Sequence, residues 1–234
     1  MLSSVQDAKK RAALASIELI KDGYVVGLGT GSTVNYMLEE LGRTILNEDL
    51  KILGIPSSTK TAILATKHQI PLTTLEEHPR LDVAIDGADQ VDPALNLIKG
   101  MGGALTREKI IDSAASLLAI IVDESKVTSQ LGFQQVVPVE VIPFAITPVS
   151  TKLQLLGGIP ILRSSSEHTY FLTDNGNAIL DVDFGLINDP ASLEKQIKLI
   201  PGVVESGLFI NMAKTVYIGT SNDVKQIDKR NFKP

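Results

Sequence analysis

The sequence predicts an α/β protein: a main domain around a parallel sheet, with a small α+β domain set into its C-terminal part. Three observations lead there. Up to Gln130, short β-rich runs alternate with stretches whose apolar residues recur at helical spacing, the order that builds βαβ units and a parallel sheet. The turns closing those runs are rich in glycine, aspartate and hydroxyl side chains. From about Leu131 the texture changes to proline-bounded, alternating strands with two further helical stretches.

Taken in order, Ala8 to Ile20 carries apolar residues at helical spacing and Asp22-Gly23 closes it. Tyr24 to Leu28 reads as a strand, the turn GTGST follows, and Val34 to Leu41 reads as a helix. The pattern returns as strand Lys51 to Ile55, turn PSST and helix Lys60 to His68, then as strand Asp82 to Ile85 and turn DGADQVDP. KGMGG leads into helix Leu105 to Ser116 and strand Leu117 to Val122. Beyond it come VVPVEVIP, helix Pro148 to Leu156, the turn GGIP, hairpin material TYFLTDNGNAILDVDF and helix Pro190 to Leu199, a βαββαβ-like order. Leu208 to Ile210 and Thr215 to Ile218 read as strands returning to the main domain. The expected architecture is a Rossmann-like main domain, residues 1–130 plus 205–234, with a ferredoxin-like α+β domain at 131–204.

Of 234 residues, 44% are hydrophobic, enough for one sizeable core with a smaller one beside it. A net charge of -5 and the lack of a Lys/Arg tract argue against a nucleic-acid or anionic-membrane partner. A small anionic ligand would need a local pocket of donors. The chain has no cysteine, which removes disulfides, thiolate catalysis and cysteine-ligated metals and fits a reducing compartment. His68, His78 and His168 are scattered, without the close spacing of zinc motifs, so each is expected on a loop or the surface. MLSSVQDAKKRAALASIELI carries charges throughout and lacks the apolar stretch of a signal peptide. Leu117 to Val122 is too short to span a bilayer. A soluble, cytoplasmic protein is the expectation.

Gly27 to Thr33, GLGTGST, follows a strand and opens a helix, where unpaired N–H groups and the helix dipole favour an anion. Its glycines permit close approach, and Thr30, Ser32 and Thr33 offer hydroxyls to phosphate oxygens. It lacks the Gly-Lys-Ser/Thr ending of a P-loop. Ser32 occupies the third-glycine position of a dinucleotide fingerprint, and no suitable acid follows about 20 residues on. A plain βα turn explains the glycines but not the cluster of hydroxyls, so phosphate binding is preferred. Asp86-Gly87-Ala88-Asp89-Gln90-Val91-Asp92 directly follows LDVAI, at the carboxyl end of a parallel sheet where open α/β folds place ligands. Its acids suit sugar hydroxyls or magnesium; turn and helix capping explains them equally well. A calcium loop does not fit, because the required Gly and distal Glu are out of place. In Lys99-Gly100-Met101-Gly102-Gly103 a lysine precedes a small-residue loop, and Glu108 falls in the first turn of the next helix. The dipole alone favours glutamate there, but such a loop loses backbone entropy on folding and needs a reason, such as a ligand's approach. Lys126, after LLAIIVDES, also stands at a carboxyl end and gains weight only from its neighbours.

In order and spacing, GLGTGST, DGADQVD, KGMGGALTREK and DESK resemble the ribose-5-phosphate isomerases of the A type, and VEVIP, TDNGN and IPGVVESGLF extend the likeness through the small domain. The resemblance spans essentially the whole chain. It implies interconversion of D-ribose 5-phosphate and D-ribulose 5-phosphate in the non-oxidative pentose phosphate pathway, without metal or cofactor, by a homo-oligomer, dimer or tetramer. Carried over by motif position, Thr30, Gly31, Ser32 and Thr33 form a first substrate loop. Asp86, Gly87, Ala88 and Asp89 form a second, and Lys99, Gly100, Met101 and Gly102 a third. Lys126 adds a contact, and Lys9 reaches the phosphate. Glu108 becomes the base, Lys99 the cation at the developing oxyanion, Asp86 the aid to ring opening, and Asp89 a holder of hydroxyls. Met101 departs from the commonest family pattern, which has glycine; a positive φ there would strain methionine, so an outward side chain is expected.

An aldose–ketose shift moves a proton between adjacent carbons through an enediolate, and one carboxylate can make both transfers. Two rival readings share these loops. A related phosphosugar isomerase or deaminase differs in its substrate. A non-catalytic sugar-phosphate sensor predicts a helix-turn-helix and a basic face, and the sequence shows neither.

Overall fold

The apolar runs pair into three sheets. The structure, a computed structural model, describes residues 2–165 and 170–229, with side chains from residue 4 onward. His168 and the opening threonine of TYFLTDNGN lie outside the described residues. The helices are α1 (Leu2–Ser16), α2 (Ser32–Glu48), α3 (Thr59–Lys67), α4 (Leu105–Ala114), α5 (Ile146–Leu155) and α6 (Pro190–Lys198). The strands are β1 (Val25–Leu28), β2 (Leu53–Pro56), β3 (Leu81–Asp86), β4 (Gln90–Val91), β5 (Leu97–Ile98), β6 (Ala115–Asp123), β7 (Val137–Val141), β8 (Ile159–Leu162), β9 (Ala178–Asp183), β10 (Val203–Ser206), β11 (Leu208–Phe209), β12 (Thr215–Gly219) and β13 (Val224–Asp228). The chain divides into two compact units, Met1–Ala88 with Arg107–Val127 and Met212–Pro234, and Asp89–Thr106 with Thr128–Asn211.

The first unit holds a six-stranded sheet in the order β13-β12-β6-β3-β1-β2. All its neighbours run parallel except the edge strand β13, which returns antiparallel along β12. The central strands are near-continuous apolar runs, with β12 buried at every position, as expected where helices cover both faces. Val26 and Leu28 face a core shared with Ala12 and Ala13 of α1 and Val34, Met37, Leu38 and Leu41 of α2. The pleat turns Gly27 the other way, where an added Cβ would come within 2.6 Å of Ile111; α4 therefore packs on the opposite face. From β1 the chain goes to β2 on one side and later to β3 on the other. That reversal of strand order marks where open α/β sheets take ligands, beyond their carboxyl ends.

The second unit holds a four-stranded antiparallel sheet, β10-β7-β9-β8, with α5 and α6 in βαββαβ order, the ferredoxin-like arrangement. Val137, Val139 and Val141 of β7 enter a core with Val149 and Leu153 of α5 and Ile197 of α6. The unit also holds a small sheet, β11-β5-β4. Leu208–Phe209, expected to return to the main sheet, pairs instead with Leu97–Ile98. Strands as short as β4 and β5 leave no readable period, so their stretch reads as a turn. Among the described residues, no helix is long and apolar enough to cross a membrane.

Candidate active site

In the first unit the site is built at the carboxyl ends of β1, β2 and β3. Asp86 closes β3 with 0% exposure. Its Oδ1 accepts the Thr30 N–H at 3.0 Å and the Gly87 N–H at 2.7 Å. Gly29 makes this possible: a Cβ there would sit 2.1 Å from Asp86 Oδ1 and 2.6 Å from its Cα. Gly31 follows at φ 149 and ψ 170, a region essentially confined to glycine. It leads into α2, whose N-terminus no side chain caps, leaving the arrangement that favours anions. Beside it, Lys9 Nζ donates to Ser32 Oγ at 3.0 Å, and both residues line a cleft of about 340 Å³ with Asn35 and Tyr36.

The Thr30 hydroxyl points into the protein. It donates to Ser58 Oγ at 2.9 Å, Ser58 donates to Thr61 Oγ1 at 3.0 Å, and Thr61 donates to the Gly29 carbonyl at 2.9 Å. Each hydroxyl has one hydrogen to give, so the Ser57 hydroxyl, 2.8 Å away, is the donor to Thr30. Ser57, Ser58 and Thr61 are buried. Both Thr30 donors are thus engaged inside the fold. The PSST turn was readable as a polar turn after a strand; its link to Thr30 was not.

Further along the same edge, β6 ends at Asp123, which caps a short 3-10 turn carrying half-buried Lys126 by accepting the Ser125 N–H at 3.1 Å. Glu108 stands in the first turn of α4 with 3% exposure, and Asp112, on the next turn, with 4%.

In the second unit Asp89 Oδ2 accepts the Met101 N–H at 3.0 Å, and the Asp89 N–H donates to the Ile98 carbonyl at 2.8 Å. Lys99 is buried at 2% exposure, with its Nζ 5.3 Å from the centre of the Phe209 ring, a cation–π distance. The Gly100 and Met101 carbonyls accept from Arg163 Nη1 at 3.0 and 3.2 Å. Arg163 is held in turn by a two-pronged pair with Asp181. Positive φ falls on Gly100 and Gly103, and Met101 does not share it. The Met101 side chain is 47% exposed, so methionine sits in this loop without backbone strain. Arg163 was missed from sequence, since nothing local marks it as the clamp of a loop so far upstream. Among the described residues, no group of three or more His, Cys, Asp or Glu is placed to hold a metal ion.

A family model of ribose 5-phosphate isomerase A (phosphoriboisomerase A) matches residues 53–223. The chain belongs to this family. Ribose-5-phosphate isomerase A of Methanothermobacter thermautotrophicus is 50% identical over 218 residues, covering 93% of this chain and 96% of that protein. The Thermosynechococcus vestitus protein of the same name is 49% identical over 218 residues, 92% of each. A D-ribose-5-phosphate isomerase solved in complex with phospho-erythronic acid superposes with a TM-score of 0.93 at 41% identity, covering 96% of this chain and 99% of that one. Ribose 5-phosphate isomerase A from Methanocaldococcus jannaschii gives a TM-score of 0.91 at 44% identity, with 95% and 98% covered. As a ribose 5-phosphate isomerase A family member, the chain is an isomerase on an α/β fold, and GLGTGST, DGADQVD, KGMGGALTREK and DESK each begin at or just after the end of a strand.

Proposed function

We propose that this isomerase interconverts D-ribose 5-phosphate and D-ribulose 5-phosphate through an enediolate, with Glu108 carrying the proton between adjacent carbons. The observation that carries this reading is the burial of three charged groups, Asp86 at 0%, Lys99 at 2% and Glu108 at 3%, all within the family motifs. Charged side chains reach such burial only when partnered or put to use. Glu108 acts first as base and then as acid. Lys99 offsets the charge developing on the substrate oxygen. Asp86, fixed by two N–H groups, assists ring opening, and Asp89 holds hydroxyls. The phosphate is held at the loop of Thr30, Gly31, Ser32 and Thr33 with Lys9. Gly87, Ala88, Gly100, Met101, Gly102 and Lys126 complete the substrate contacts. Anchoring the phosphate lets binding remote from the reacting carbons orient them.

The domain reading places catalysis in residues 1–130 and 205–234, with 131–204 as the small domain. The enzyme works as a homodimer in the cytoplasm, in the non-oxidative pentose phosphate pathway, with no cofactor or metal. Phospho-erythronic acid, bound in a relative's structure, is expected to compete with the sugar phosphate here.

The test is ketose formation from ribose 5-phosphate in excess EDTA, beside Glu108→Gln. Turnover that persists in EDTA and falls about a hundredfold or more in the variant supports the mechanism. Equal rates in both remove Glu108 from its role, and no turnover in either removes the substrate. Sedimentation of the purified chain at a monomer's mass would remove the dimer.

A further inference from the structure

Glu140 lies in β7, an interior strand of the four-stranded sheet, buried at every position. Val137, Val139 and Val141 point into the core of the second unit, so Pro138 and Glu140 point to the other face. The loop from Lys99 to Thr106 covers that face: an added Cβ at Gly100 would come 3.3 Å from Pro138. Glu140 is 1% exposed, and four side-chain donors converge on it. Its Oε1 accepts from Thr173 Oγ1 at 3.0 Å, Asn175 Nδ2 at 3.1 Å and Asn177 Nδ2 at 2.8 Å. Its Oε2 accepts from Thr106 Oγ1 at 2.6 Å, the shortest of the four.

The three donors on Oε1 come from one tight turn, TDNGN. Gly176 N–H donates to the Thr173 carbonyl at 2.9 Å, and Thr173 N–H to the Asn177 carbonyl at 2.8 Å. The Thr173 hydroxyl oxygen accepts the Asn175 and Asn177 N–H groups, both at 3.2 Å. The turn is rigid on its own account, so Glu140 is fixed on one oxygen and extends the other to Thr106. Thr106 and Glu108 share the first turn of α4, the part of a helix that frays most readily.

We propose that Glu140 is a positioning residue: through Thr106 it fixes the start of α4 and thereby aims Glu108. This rests on Glu108 being the base, as proposed above. A carboxylate accepts on both oxygens, whereas a glutamine keeps its acceptor for the TDNGN donors and turns an amide toward Thr106, so the short charge-assisted bond is replaced by a weaker, reversed one in which the Thr106 hydroxyl accepts. Glu140→Gln therefore loosens the link to α4 while leaving the turn in place. Misplacing a reacting group by about 1 Å can lower a rate about a hundredfold. A loosened helix start is expected to lower it less.

The experiment compares Glu140→Gln, Thr106→Val, Thr106→Ser, the double variant Glu140→Gln/Thr106→Val, and Glu108→Gln. Glu140→Gln and Thr106→Val are each expected to lower kcat about tenfold with KM within about twofold of the parent. Thr106→Ser, which keeps the hydroxyl, should retain the parent's kcat. Because both act through one bond, the double variant should be no slower than the slower single. Parental kcat in Thr106→Val, or two losses that multiply, overturns the proposal. If Glu140→Gln does not fold, the threonine pair decides: a loss in valine absent from serine supports the link, and equal rates refute it. Collapse of Glu108→Gln beside parental rates in the others removes the positioning role alone, whereas full activity in Glu108→Gln removes the base on which it rests.

Discussion

Replacing Gly29 by alanine tests whether activity depends on how Asp86 is held. The new Cβ would lie 2.1 Å from Asp86 Oδ1, 2.2 Å from its Cγ and 2.6 Å from its Cα. The last distance decides the outcome, because rotating the side chain relieves the first two but cannot move the backbone. The loop and the end of β3 must separate. That stretches the Gly29 N–H bond to the Ile85 carbonyl, now 3.0 Å, and the Thr30 N–H bond to Asp86, also 3.0 Å. A backbone bond contributes about 1 kcal/mol and one to a carboxylate about 1.5–3; overpacking costs about 1–3. The terms overlap, since one shift relieves the clash and breaks the bonds, so the expected loss is about 3 kcal/mol. In a chain of this size that is a fall in Tm of roughly 6–12 °C. With Asp86 displaced, kcat/KM should fall about a hundredfold, equivalent to about 2.7 kcal/mol at the transition state. Gly31→Ala, in the proposed phosphate loop, is a control for the stability loss only. Nothing lies within 4 Å of a Cβ there, so the strain of its φ, about 1–3 kcal/mol, enters without pushing on Asp86. Thermal melts beside steady-state isomerisation read both quantities. A folded Gly29→Ala enzyme within about threefold of the parent's kcat/KM would refute the reasoning, since activity would then not depend on this Asp86 geometry.

Three further outcomes are expected. Thr61→Val keeps the shape but ends the hydroxyl chain before the Gly29 carbonyl and leaves Ser58 without its acceptor; urea unfolding should show a loss of about 1–3 kcal/mol, and an unchanged midpoint would contradict the role given to the chain. Lys9→Met, which keeps the apolar stem, should raise KM for the sugar phosphate about fivefold with kcat within about twofold; an unchanged KM removes Lys9 from the phosphate site. Burial first, then the charges of Asp228 and Glu18, raise the Tyr217 hydroxyl above its ordinary value. A raised acid contributes its stability below the unfolded pKa, about 10 for tyrosine, and loses it as pH climbs past that value. Tyr217→Phe should therefore lose stability less steeply than the parent above about pH 10, and parallel curves would rule the tyrosine out.

What could be read from the sequence, and what could not, divides by the range of the interaction. The strands β1, β3, β6 and β12 were legible because a parallel sheet covered on both faces makes its strands continuous apolar runs, and the turns after the first three carry family motifs. β4, β5 and the pairing of Leu208–Phe209 were not, because two-residue strands are decided by their partners. The same division runs through the site. Gly29 and Gly31 could be recognised as a loop that comes close to something; that the close neighbour is Asp86, 57 positions from Gly29 by number, follows only from the register of β1 against β3. That the Thr30 hydroxyl bonds Ser57 and Ser58, with Thr61 beside it, was equally out of reach of the sequence. Glu140 illustrates the point most sharply. In VPVEV it has the alternation of a strand with one wet face, and an antiparallel sheet is free to keep such a face in water. It is buried between the TDNGN turn, which supplies three donors, and a segment more than 30 residues upstream, where Thr106 at sequence separation 34 supplies the fourth. A charged residue on the polar side of a strand is therefore ambiguous from sequence alone: it marks solvent or a covering loop, and only the donors around it tell which. The quoted motifs VEVIP, TDNGN and ALTREK, read separately, are a strand, a turn and a helix start; in the structure Glu140 joins them, accepting from Thr106, Thr173, Asn175 and Asn177.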